Sequence, residues 1–211
     1  MSGAALGPGA TIGVLGGGQL GRMMAVVARQ MGYRIIVLDP SPRCPTAQVS
    51  DGVVVGTLDD VEAAKHLASQ VDVITLDTEH VPAEVLDALE PIAPVRPGAA
   101  VLRTIQDRMV QKQFLDRIGL PQATWAPVDT ADLGAALARV GRPAILKVRR
   151  AGYDGKGQVR IDRDAEPEAL LARLRGEPAV AEEVVEFARE ISVILAAHSG
   201  DFGRPSPNPR T

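Results

Sequence analysis

Residues Gly13 to Met24 read "GVLGGGQLGRMM". The apolar run "TIGVL" leads into Gly16, Gly17 and Gly18, and Gly21 completes a G-x-G-x-x-G spacing. The stretch "QLGRMMAVVARQMG" then repeats at helical period, with Leu20, Met23, Met24, Val27 and Met31 on one side and Gly32 as a stop. Strand, glycine turn and helix make the start of a βα unit, whose helix N-terminus can turn backbone N–H groups toward an anion. The next apolar run, "IIVLD", ends at Asp39, as the acidic residue of a dinucleotide fingerprint would. Spacing alone leaves two readings open. The loop either holds a phosphate, or it is a tight strand-to-helix turn packed on a sheet.

Outward from this stretch the pattern continues. "YRIIVLD", "DGVVVG" and "DVITLD" read as strands, and "LDDVEAAKHLASQV" and "PAEVLDALE" as helices, the second with Pro82 at its start. Strands alternating with helices predict an α/β fold with a parallel sheet covered on its faces, here a Rossmann-like domain over residues 11–105. Two further helices follow, "DRMVQKQFLDRIG" and "TADLGAALARVG", the latter with Thr130 as N-cap. The texture then changes. "PAILKVRR", "QVRI", "AVAEEVVE" and "REISVIL" read as strands around one short helix, "EPEALLARLRG", an antiparallel α+β unit within residues 106–195. Residues 1–10 are expected to be flexible, and residues 196–211 to be a disordered tail.

With 23 basic and 26 acidic residues the formal net charge is -3, which gives no electrostatic footprint for nucleic acid or an anionic membrane. A single cysteine, Cys44, excludes an internal disulfide framework, and three scattered histidines make no metal site. No leader peptide or spanning segment is apparent, so a cytoplasmic protein is expected.

A second glycine-rich stretch carries more chemistry. Lys147 ends a strand, and the loop Ala151 to Gly157 holds three glycines with Lys156 at its tip. With Arg149 and Arg150 nearby, a flexible cationic flap between two strands suits closure over a polyphosphate. Glu182, Glu183, Glu186 and Glu190 offer acceptors at strand ends. "TLDTEHVP" places Asp77, Glu79 and His80 just beyond a strand, where open α/β sheets bind ligands.

Taken in order, "GVLGGGQLGRMM", "DRMVQKQFLDRIGLP", "KVRRAGYDGKGQ" and "EEVVEFAREISV" resemble N5-carboxyaminoimidazole ribonucleotide synthetase, an ATP-grasp ligase of purine biosynthesis, over about Thr11 to Leu195. The resemblance implies a Rossmann-like pre-ATP-grasp domain followed by an incomplete ATP-grasp domain. It implies carboxylation of 5-aminoimidazole ribonucleotide by ATP and bicarbonate, with Mg²⁺ as companion of ATP and a homodimer as the common assembly. Arg108 and Lys147 correspond to residues on the ATP phosphates. Gly152, Tyr153, Asp154, Gly155, Lys156, Gly157 and Gln158 correspond to the phosphate-covering flap, of which Tyr153, Asp154 and Lys156 are the expected catalytic residues. Glu182, Glu183, Val184 and Val185 correspond to the adenine hinge and Glu190 to the ribose-binding acid. Gly18, Gln19, Leu20 and Glu79 correspond to the ribonucleotide site, where the first glycine loop is expected to cradle the substrate phosphate.

Two departures stand out. Leu76-Asp77 replaces the family's common Tyr-Glu pair. The family also continues beyond "EISVIL", where its Mg²⁺ ligands are expected. The chain is therefore expected to be truncated near residue 195, its tail to be out-of-frame sequence, and its activity alone to be lost. Two rival readings are an NAD-dependent oxidoreductase, resting on the first glycine spacing and Asp39, and a non-catalytic nucleotide-binding fragment. The second flap argues against the oxidoreductase.

Overall fold

The computed structural model describes residues 6–128, 133–150, 157–163 and 176–193. Leu6–Val184 form one compact unit, and residues 185–193 belong to another. The larger unit holds two four-stranded sheets.

The first sheet is built from β1 (Thr11–Leu15), β2 (Arg34–Asp39), β3 (Gly52–Val55) and β4 (Val73–Leu76), all parallel, in the order β3-β2-β1-β4. Parallel strands need covered faces, so their apolar residues do not alternate with polar ones. Ile35 and Val37 pack with Val14 on one face, against Ala25 and Ala28 of α1 (Gln19–Gln30). Leu15, Ile36, Leu38 and Ile74 pack on the other, against α2 (Val61–Ala68), α3 (Ala83–Leu89) and α4 (Ala99–Ile105). Asp60 caps α2 by accepting from the N–H groups of Glu62 and Ala63.

The second sheet is antiparallel, in the order β5-β8-β6-β7, from β5 (Trp125–Val128), β6 (Ala144–Val148), β7 (Gln158–Ile161) and β8 (Ala179–Glu183). Its period of two is strict. Ala126, Val128, Ala144, Leu146, Val159, Ile161, Ala179 and Ala181 face α6 (Leu133–Val140) and form the core of this layer. The opposite face carries Lys147 and Glu182, and α5 (Arg108–Arg117) lies over it.

Several expectations change. Of the stripe predicted for α1, Leu20, Met23, Val27 and Met31 are exposed and Met24 is half-buried against the core, while Gly21, Ala25 and Ala28 are buried, because only small residues let a helix approach the sheet closely. β5 and α4 were not anticipated, and "REISVIL" forms no strand over residues 189–193. A strand requires a hydrogen-bonded neighbour, and no described residue pairs with these. Residues 6–10, expected to be flexible, bond to the turn after α1. The Tyr33 hydroxyl donates to the carbonyl of Leu6 (2.8 Å), and the Gly9 N–H donates to that of Gly32 (2.7 Å). Thr130, the predicted helix over 166–176 apart from Gly176, the flap residues 151–156 and residues 194–211 lie outside the described residues. No helix among the described residues is long and apolar enough to cross a membrane.

Candidate active site

The carboxyl end of the parallel sheet gathers the first group of residues. β1 stops at Leu15, and Gly16 turns the chain at φ +93°, a value that suits glycine. Gly18 is the N-cap of α1. β1 lies between β2 and β4, and the acids ending those two strands both reach into the loop. Asp39 accepts from the N–H groups of Gly17 (2.9 Å) and Ser41 (2.8 Å), one on each oxygen. Asp77 accepts from Gly18 N–H through Oδ2 (2.6 Å) and from Gly21 N–H through Oδ1. The anion at this helix N-terminus is thus a side chain of the protein itself. Asp39 thus braces the turn through both oxygens, each of which keeps a further acceptor site. Gln19 and Leu20, the residues between the two amides bonded to Asp77, are exposed.

The second group sits on the α5 side of the antiparallel sheet. Directly opposed residues share a face, so Ile145 and Lys147 on β6 lie with Glu182 and Val180 on β8. Glu182, only 8% exposed, receives Lys147 Nζ at 3.0 Å and Lys112 Nζ at 3.2 Å, both on Oε2. Lys147 and Glu182, expected at opposite ends of a bound ATP, are therefore ion-paired in this structure. Lys112 was not anticipated. Its side chain is only 12% exposed, a degree of burial that its place in the polar sequence "VQKQF" did not show. At the hinge, Glu183 N–H donates to Thr124 O (2.9 Å), so an adenine could use only the carbonyl of this residue. Thr124 also donates from its N–H to Glu183 Oε1 (2.9 Å), and its backbone and hydroxyl bonds hold that carboxyl below the usual range. Val184 is half-buried at the end of the unit. Val185 is exposed, and Glu190, also exposed, lies in the separate stretch 185–193.

Between these groups lies the segment Gln106-Asp107-Arg108. Gln106 Nε2 donates to the carbonyls of Glu79 (2.6 Å) and Val81 (2.7 Å), fixing the loop after β4. Asp107, 2% exposed, caps α5 by accepting from Met109 N–H (3.0 Å). The same carboxylate receives Arg149 Nε at 3.0 Å and Nη2 at 2.6 Å, and Arg150 Nε lies 3.5 Å away. Burial alone would raise its pKa. The hydrogen bond and charge of Arg149, with the N–H groups of α5, outweigh burial and hold it below the usual value. Arg108 N–H donates to Arg149 O (2.9 Å), and its Nε to Val148 O (3.1 Å). These bonds sit where the flap leaves β6. Gly157 closes the flap at its other end, its carbonyl accepting from Val148 N–H (2.8 Å), and Gln158 opens β7.

Glu79 and Arg108, expected on opposite substrates, line one cleft of about 920 Å³ with Arg103, Gln111, Arg149 and Arg150. Glu79, Glu84 and Arg103 line its parallel-sheet side, and Arg108, Arg149 and Arg150 the other. Such a wall can hold a polyanion against a polar partner. His80 lines the same cleft. Among the described residues no three His, Cys, Asp or Glu side chains come together as a metal site.

Comparison with known proteins agrees with this architecture. The ribonucleotide synthetase preATP-grasp domain family matches residues 9–106 and the ATP-grasp domain family residues 113–203. An N5-carboxyaminoimidazole ribonucleotide synthase of Brucella melitensis is 47% identical over 199 residues, covering 93% of this chain and 55% of its own length. The structure of the Staphylococcus aureus synthetase complexed with ADP superimposes with a TM-score of 0.81 at 36% identity, over 85% of this chain and 48% of that one. The Aspergillus clavatus enzyme in complex with ADP and 5-aminoimidazole ribonucleotide gives 0.73 at 30% identity, over 85% and 48%. The chain spans about half the length of the relatives it matches. Two successive domain matches, one parallel and one antiparallel sheet, and identity across nearly all of the chain place it in the N5-carboxyaminoimidazole ribonucleotide synthetase family of ATP-grasp ligases.

Proposed function

We propose that this chain serves the ATP-dependent carboxylation of 5-aminoimidazole ribonucleotide. In this reaction ATP, bicarbonate and the amine give the N5-carboxylated nucleotide, ADP and phosphate. One observation carries the reading: Glu79 from the parallel-sheet domain and Arg108 at the start of α5 share a single cleft, so an acceptor nucleotide and a triphosphate would meet there. Lys147 and Arg108 are the proposed phosphate contacts. Glu182, Glu183, Val184 and Val185 form the adenine hinge, and Glu190 is the ribose acceptor. Gly152 to Gln158 close over the phosphates, with Tyr153, Asp154 and Lys156 acting at the reacting groups. Gly18, Gln19, Leu20 and Glu79 take the ribonucleotide.

Phosphoryl transfer to bicarbonate develops charge that cations must offset, and the resulting acyl phosphate must be shielded from water. A flap that springs from the Asp107–Arg149 junction suits both needs. Mg²⁺ would accompany ATP in such chemistry. The described residues bring together no ligand set for it. Pairing of two copies and a cytoplasmic setting belong to the same proposal, and the exposed Met23, Val27 and Met31 stripe supports the first.

Isothermal calorimetry of the chain with ATP tests the reading, and an ADP-release assay with both other substrates tests turnover. ATP binds, and Lys147→Met weakens it by about tenfold or more, the scale of one charge-assisted contact. Binding of a nicotinamide dinucleotide in place of ATP would overturn the reading.

A further inference from the structure

We propose that Asp77 is a positioning residue for the ribonucleotide substrate: its carboxylate fills the first glycine loop and fixes Gln19 and Leu20, so the loop takes no phosphate at Gly18 and Gly21. This rests on the reading that Gln19 and Leu20 meet that substrate. The three glycines of the G-x-G-x-x-G spacing all face Asp77. A Cβ on Gly16 would lie 3.2 Å from Asp77 Cβ, and one on Gly21 would lie 3.3 Å from its Cγ. A Cβ on Gly18 would overlap Oδ2. Thr46 closes the far side, its hydroxyl donating to Gly18 O at 3.1 Å and lying 2.8 Å from the Gly21 Cβ position.

The spacing is thus a socket cut to one carboxylate. Asp77 is fixed in it from behind, because its own N–H donates to Leu15 O at 2.9 Å. A phosphate cannot take the Gly18 and Gly21 amides while this carboxylate holds them, since two anions would then share one helix N-terminus. The two bonded amides bracket Gln19 and Leu20 and set the direction in which those residues leave the loop. Asp77 touches neither proposed substrate. It acts through the loop.

Amide hydrogen exchange by NMR and calorimetric titration, both on the full chain, test this. In Asp77→Ala the Gly18 and Gly21 amides exchange about tenfold faster or more, the effect of losing a charged acceptor. Added acetate, a small carboxylate that fits the emptied socket, restores their protection. Asp77→Asn, which keeps one acceptor oxygen, exposes one of the two amides and serves if the alanine variant does not fold. Both variants weaken 5-aminoimidazole ribonucleotide by about tenfold or more while ATP affinity stays within about twofold. The proposal is overturned if both amides stay protected in both variants, or if ribonucleotide affinity is unchanged. It is equally overturned if ATP affinity falls in parallel, the mark of a merely structural role. An unaltered chain that binds no ribonucleotide overturns the reading of the site instead, and the exchange data tell the two failures apart.

Discussion

Asp107 joins two duties in one side chain. It caps α5 and it neutralises Arg149, and it is 2% exposed while doing so. Removing its charge leaves a guanidinium without its carboxylate, so Asp107→Asn is expected to lower unfolding free energy by about 3 kcal/mol, read from urea denaturation. Because its folded pKa lies below the unfolded value, its stabilisation is complete above about pH 4 and fades as pH falls through the depressed value. The unaltered chain therefore loses stability on that acid limb, and the asparagine variant shows a flatter one. At this scale the sequence was only partly legible. Lys147 and Glu182 stood out in the sequence as separate candidates, not as the ion pair they form. That Lys112 joins them, and that Asp107 binds Arg149, depends on pairs 70 and 42 residues apart in the chain, which no local pattern encodes.

Among elements, the strand-loop-helix unit shows what a motif does and does not record. The glycine spacing predicted amides turned toward a phosphate or a tight turn on the sheet, and in the structure the Gly18 and Gly21 amides meet the Asp77 carboxylate. The spacing carries no mark of whether the oxygen arrives from a ligand or from the end of β4. If Gly18 lacks a side chain because Asp77 stands beside it, Gly18→Ala is destabilising by roughly 1–3 kcal/mol, and most of that cost disappears once Asp77 is shortened to glycine. A double-mutant cycle from thermal or urea unfolding measures that coupling. Most elements followed from period, since apolar runs and the glycine stops act locally. α1 was found with its face misassigned, because period locates a stripe without saying whether large or small residues meet the sheet. β5 escaped because "WAPV" is four residues long with Pro127 inside, tolerated in a strand at the sheet edge. "REISVIL" has strand composition, but its described residues, 189–193, belong to no sheet.

For the Leu6–Val184 unit as a whole, the question is how two sheets of different construction are held so that one cleft serves both. Gln106, Asp107 and Arg108 answer it in succession. The first grips the Glu79–Val81 loop, the second Arg149, and the third the carbonyls of Val148 and Arg149. Gln106→Ala removes two bonds to backbone carbonyls and is expected to cost about 1–2 kcal/mol while leaving both cores intact. Its signature is faster amide exchange around Glu79, with protection in β6 and β8 unchanged.

Being consecutive, these three residues also act as a gauge whose divisions cannot be changed. One residue inserted between Asp107 and Arg108 would swing every side chain of α5 by about 100° around its axis, carrying Arg108 off the cleft and Lys112 off Glu182 together. Surface loops that carry no site residue tolerate changes of length far better. Here the spacing is the measurement on which both halves of the cleft depend, and a change of length would uncouple them while leaving every contributing side chain in the sequence.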